Sequence, residues 1–238
     1  MARSRADRSG AGQSSTDPTD DGPVGNGRAS AMRVPGQRGL ATRDRFLRQI
    51  EVMLADTPYR ELKVVDIARG SGTSPATFYQ YFADAEEAFL ALAQQTVSQG
   101  APRLAQPVVD GEWTTARTFD TCTQIAGAFL EFWDDHGSIM AVIDLAALEG
   151  DDRFREIRTS VLNPFTEAIG EVIRERVDEG TLAPDVDPVA TASVLVAMLA
   201  HVSGHRYGIE AYGTSTDAIK LSMTRQLHAG LTGSVAPR

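Results

Sequence analysis

The sequence of 238 residues predicts an all-α protein. Two observations carry that expectation. Apolar residues recur at spacings of three and four along most of the chain, and no alternating apolar–polar run bounded by turns interrupts them. Gly and Pro punctuation falls at intervals that a helix fills. About nine helices are expected, three short ones at the front and six longer ones behind.

The first helix signal opens at Thr42, whose hydroxyl can cap the stripe Phe46, Leu47, Ile50, Met53 and Leu54, and it stops before Pro58. The second, Val64–Arg69, is entered through Leu62 and Ile67, the two positions of a hydrophobic staple. Gly70-Ser71-Gly72-Thr73 cannot prolong it, and Gly72 can take the positive φ of a sharp turn. Ser74 is then a good N-cap and Pro75 a good first helical residue. On this third helix Phe78 and Phe82 lie four apart and should be core, while Thr77, Tyr79, Gln80 and Tyr81 fan over the remaining surface. The hydroxyls suit phosphates, and the paired donor and acceptor of Gln80 suit adenine in the major groove. Such a run is built to place a small helix in a DNA groove.

Thr77-Phe78-Tyr79-Gln80-Tyr81-Phe82 resembles the helix-turn-helix signature of the TetR family of transcriptional regulators, and the resemblance covers about Thr42–Leu92. It implies an N-terminal DNA-binding domain followed by a helical bundle for effector binding and dimerisation. It also implies that Thr77, Tyr79 and Tyr81 contact the DNA backbone, that Pro75, Ala76 and Gln80 face base edges, and that Val65 can reach a base. Ser74, Arg43 and Lys63 complete the candidate DNA-binding set. Three departures stand out. Lys63 replaces the usual threonine cap of the second helix and could add a phosphate contact, whereas Ala85 replaces a lysine that would anchor one. Ala76 and Val65 are small and apolar, which favours thymine-methyl contacts.

A formal net charge of −9 looks wrong for a DNA binder, but the charge is not evenly spread. Residues 1–82 hold 12 basic and 9 acidic side chains, and residues 83–238 hold 11 and 23. Arg38, Arg43, Arg45 and Arg48 cluster about the first helix, and Arg60, Lys63 and Arg69 flank the second. The acidic remainder should be kept off DNA.

Residues 1–38 are rich in Gly, Ser, Asp and Pro, have few large apolar side chains, and are expected to form a disordered tail. No apolar segment follows Arg3, Arg5 and Arg8, so a signal peptide is not expected; translation could also begin at Met32. Domain boundaries are placed at 39–83 for the DNA-binding domain and 84–238 for the effector-binding and dimerisation domain. The longest apolar run, Val189–Val202, falls short of a membrane span and includes Thr191, Ser193 and His201. Cys122 is alone, in keeping with a soluble cytoplasmic protein.

The rear helices are expected at Asp84–Gln99, Thr114–Asp135, Ser138–Leu148, Asp152–Glu179, Asp187–Tyr207 and Ser215–Leu231. A bundle of this size can enclose a small-molecule effector. Candidate ligand-binding residues are Phe119, Phe129, Phe132, Trp133, Met140, Phe165, Met198, His201 and His205. Pro164 should kink its helix near Phe165 and help open a cavity. His201 and His205 share a helix face at a metal-site spacing, but no further ligands complete a coordination shell, so neither a metal nor a cofactor is expected.

Ala190, Ala192, Ser193, Ala197, Ala200 and Gly204 give the penultimate helix a small-residue surface, and the resemblance implies a homodimer through the last two helices. Two reading heads ~34 Å apart would span both halves of a palindromic operator. The expected function is repression of transcription, relieved by a small, largely apolar effector. The rival expectations are a ligand-insensitive DNA-binding or adaptor protein, and an enzyme using Asp134-Asp135-His136 or Asp151-Asp152; no partner nucleophile accompanies those acids, so no catalytic residue is assigned.

Overall fold

The computed structural model describes residues 37–234, and the described residues form eight α-helices and no strand. The expectations for residues 1–36, among them a disordered tail and a start at Met32, lie outside them. Helix α1 spans Gln37–Met53, α2 Val64–Gly70 and α3 Pro75–Phe78, with a single 3₁₀ turn at Tyr59–Glu61. The longer helices are α4 Ala85–Val109, α5 Thr118–Leu148, α6 Asp152–Asp178, α7 Pro188–Glu210 and α8 Thr216–Thr232. Helices α4 to α8 pack on one another, while α1 packs on α4 and on α2, and α2 on α3.

Helix starts follow short polar caps. Asp84 accepts a hydrogen bond from the Glu87 N–H at 2.8 Å while the Glu87 carboxylate accepts from the Ala83 N–H, a reciprocal capping arrangement. Asp151, Asp187 and Ser215 each accept from a first-turn N–H of α6, α7 and α8, and Gly233 closes α8 at φ +63°. Thr42 is not a cap. Helix α1 already runs from Gln37, taking in two residues expected in the tail, and the Thr42 hydroxyl donates to the Arg38 carbonyl inside the helix at 3.0 Å.

Helix count is one lower than expected because Gly137 does not break α5. A glycine inside a helix costs about 1 kcal/mol against alanine. Burial of Trp133, Ile139, Met140 and Ile143 on either side outweighs it. Helix α4 likewise passes through Gly100, Pro102 and Pro107, with Ala101, Leu104 and Val108 buried. The Phe132 ring lies directly on Gly100, where any side chain would collide with it.

Helix α6 is continuous through Pro164, and Phe165 is fully buried against Phe129, ring centroids 4.8 Å apart. Helix α7 is longer than its apolar run suggested. Its 23 residues include an 18-residue stretch of mean hydropathy 1.3, long and apolar enough to cross a membrane by length and composition, and 33% of that stretch is buried. Its inner face is Ala192, Leu195, Val196, Leu199, Ala200 and Ser203. Ala190, Val194, Ala197, His201 and His205 are exposed on the other side.

Candidate functional site

The front three helices converge on an aromatic knot. Phe46 of α1 meets Phe78 of α3 edge to face at 5.1 Å and Phe82 at 6.5 Å, and Phe78 and Phe82 lie 5.5 Å apart. Leu62 and Ile67 are both buried, as a staple at the start of α2 requires, although Lys63 makes no cap bond. Gly72 takes φ +68° in the turn that follows, and the Thr73 N–H closes it on the Ala68 carbonyl at 2.9 Å. Ser74 then caps α3, its hydroxyl accepting from the Thr77 N–H at 3.2 Å and standing 3.0 Å from the Thr77 hydroxyl. These contacts fix the start and the angle of a helix only one turn long, with Tyr79 to Phe82 continuing as turns on its end.

With the knot beneath it, α3 presents its other side outward. Tyr79 is 59% exposed and Val65 51%, and Ala76, Gln80, Ser74 and Lys63 are exposed too. Pro75 and Thr77 are half-buried. Three of the ten candidates carry structural work as well. Tyr81 packs against Phe46 at 5.9 Å, and the Arg43 guanidinium stands 5.3 Å over the Phe82 ring. Ser74 is a third, since its hydroxyl already satisfies a helix N–H.

Contacts that join these helices to the rest were not legible in the sequence. Arg60 pairs with Glu149 at the end of α5, and Arg153 of α6 bridges to Glu86 at the start of α4. Beneath them Tyr59 packs on Phe89 at 4.7 Å, and Phe89 stacks on Phe154 at 5.7 Å. Burial foremost, then the Glu86 charge, pushes the Tyr59 hydroxyl up to about 12, so it stays protonated.

Behind this joint, two adjoining hollows of about 630 and 510 Å³ form an open groove between α5, α6 and α7, and they share Trp133, Asp144, Arg158, His201, Gly204 and His205. A smaller hollow of about 380 Å³ lies between α1 and α5, lined by Glu51, Ala55 and the stretch Trp133 to Ile139. Trp133 therefore forms part of the wall of all three. In the smaller hollow the Nδ1 of His136 is buried without a hydrogen-bond partner, 4.0 Å from a Glu51 carboxylate oxygen.

Three of the nine predicted ligand-binding residues, Trp133, His201 and His205, line the groove. Phe129, Phe132, Met140 and Phe165 are closed into the core, Phe119 packs on His228 at 5.6 Å, and Met198 is half-buried outside the groove lining. An aromatic stripe at helical spacing is chiefly packing, as Phe129 shows by stacking on Trp133 at 5.7 Å. Sequence reading missed Arg158, Asp144, Gly204 and Tyr207 in the groove, because three helices distant in sequence bring them together.

Three of the four acids of the enzyme alternative have partners, and Asp135 lines the smaller hollow. Asp134 binds Arg206, Asp151 caps α6 and pairs with Arg153, and Asp152 pairs with Arg155. Among the described residues no group of three or more His, Cys, Asp or Glu is placed to hold a metal ion.

Residues 104–238, more than half of the chain, match the family model for the tetracycline repressor-like C-terminal domain. The chain belongs to the TetR family. Solved structures share the fold at low identity. A transcriptional regulator from Pseudomonas aeruginosa PAO1 superposes with a TM-score of 0.66 at 12% identity, covering 86% of this chain and 95% of its own. The fatty acid degradation regulator FadR of Bacillus halodurans gives 0.61 at 14%, over 87% and 100%. FadR of Bacillus subtilis, in complex with stearoyl-CoA, gives 0.60 at 15%, over 79% and 98%. No functionally curated protein matches the sequence. The TetR assignment agrees with the motif at Thr77–Phe82, which lies outside the matched segment and points to the same family independently.

Proposed function

We propose that this TetR-family regulator is a cytoplasmic homodimeric repressor that reads a palindromic operator with α3 and leaves it when a small molecule fills the groove between α5, α6 and α7. One observation carries the DNA half. A capped helix, pinned from below by Phe46, Phe78 and Phe82, holds Ala76 and, on its end, Tyr79 and Gln80 outward, with Val65 of α2 exposed as well. Gln80 and Ala76 read base edges, Val65 adds an apolar base contact, and Tyr79, Thr77, Lys63 and Arg43 grip the backbone.

Pairing through α7 and α8 is supported by Val189 and Val194 of α7 and Leu221 of α8, apolar side chains exposed outside the groove lining. A two-fold dimer sets two short reading heads a helical turn of DNA apart, which one head alone could not exploit. Effector control is supported by Trp133, which walls both the groove and the hollow beside α1. A ligand that displaces the indole alters the seat of α1, and α4, leading from the reading helix into the core, carries the change to the head. The stearoyl-CoA held by Bacillus subtilis FadR lends weight to a ligand in a body of this fold. Such a coupling is typically worth ~1–3 kcal/mol and is reciprocal, so operator DNA weakens the ligand by the same factor.

A gel shift with the DNA flanking the protein's own gene, repeated at several salt concentrations, tests the DNA half. A specific complex is expected, with Gln80→Ala losing sequence discrimination and Tyr79→Phe weakening all sequences alike. No specific shift at moderate salt would refute the proposal.

A further inference from the structure

We propose that the groove between α5, α6 and α7 selects an organic carboxylate, an acid with a compact apolar body, as its ligand. The proposal rests on that groove being the effector site, and three features of the lining support it. First, Arg158 donates through Nε to Asp144 at 2.6 Å, and this pairing leaves both terminal nitrogens without an acceptor among the described residues. Asp144 neutralises part of the guanidinium and holds it in place, while the open fork keeps the geometry that takes both oxygens of a carboxylate.

Second, Trp133 is 9% exposed, yet its indole N–H donates to no acceptor among the described residues. That nitrogen faces Gly204, where a Cβ would come within 2.9 Å of it. The glycine thus leaves room beside a donor that opens on the groove, and a ligand oxygen can enter there. Third, the walls are divided by character. Leu145, Leu148 and Ala141 line one end, and Thr159, Asn163 and Ser193 the other. An apolar body fits the leucine end while its acid reaches Arg158.

The test uses the full chain carrying Trp113→Phe, which leaves Trp133 as the sole tryptophan. Its emission is titrated with 4-phenylbutyrate and with the uncharged 4-phenylbutanamide, with no DNA present, so the outcome is independent of operator binding. The acid is expected to give a saturable change below ~1 mM, and the amide to bind ~10-fold more weakly. Arg158→Gln should erase the preference while leaving amide binding in place, and Gly204→Ala should weaken both. Circular dichroism confirms that each variant is folded; Arg158, half-exposed on the surface of α6, is the substitution that leaves packing intact. Equal binding of acid and amide, absence of a saturable change with either, or an unaltered preference in Arg158→Gln would overturn the proposal. So would a groove covered by the second subunit, seen as Trp133 emission that resists acrylamide until the dimer is diluted apart.

Discussion

Phe46 and Phe78 meet edge to face, 5.1 Å between ring centroids, and both are fully buried. This one contact ties α1 to the only turn of α3, which is too short to hold itself helical in water. Orientation of the reading face therefore depends on packing from behind.

Phe78→Ala should lower stability by about 3–5 kcal/mol, the usual cost of emptying a buried aromatic site. Tyr79→Ala, one residue along but exposed, should change it by under ~0.5 kcal/mol. Urea denaturation of both variants measures the contrast. Comparable losses would mean that the two residues are not divided between core and surface.

Ser74→Ala removes a cap whose hydroxyl accepts from the Thr77 N–H at 3.2 Å. A cost of ~1 kcal/mol is expected, concentrated in the first turn of α3. Hydrogen exchange at Thr77 and Phe78 should quicken while exchange in α5 stays unchanged. Ser74→Asp should restore protection, since aspartate caps equally well, and a failure to do so would indicate that the hydroxyl serves another purpose.

The front helices were legible because their signals are local. A staple, a glycine turn, a cap and a proline all act within a few residues, and Leu62, Gly72, Ser74 and Pro75 each took the expected place. Breaks in the body were overestimated for the opposite reason. Gly137 and Pro102 weaken a helix locally, but tertiary burial of Trp133, Ile139 and Leu104 decides whether it continues. The groove was harder still. Trp133 and His201 were visible as candidates, whereas Arg158 and Gly204 gain meaning only through the helices that meet around them.

Cys122 is fully buried on α5, and burial pushes its thiol up to about 12, with the Arg176 charge only partly offsetting the shift. Its thiolate is scarce at neutral pH and out of reach of reagents. Native protein should resist iodoacetamide, and labelling should appear in step with the unfolding transition in urea. Rapid modification under native conditions would show that α5 opens locally around residue 122.

His228 ties pH to stability. It is nearly buried on α8, with the Phe119 ring 5.6 Å away and the Thr232 hydroxyl 3.5 Å from its Nδ1. Burial foremost, then the charge of Arg176, holds its imidazole below the ordinary histidine value of 6.5. The unfolded chain thus binds a proton that the folded chain resists. Stability contributed by the neutral imidazole is complete above the ordinary value, declines as pH falls through it, and levels off only below the depressed folded value. Thermal melts between about pH 7.5 and about pH 5.5, above the range where carboxylates titrate, should show Tm dropping with acid. His228→Gln, which keeps a polar group near Thr232 and cannot be protonated, should flatten that slope. Parallel slopes for wild type and His228→Gln would remove His228 as the source of the pH dependence.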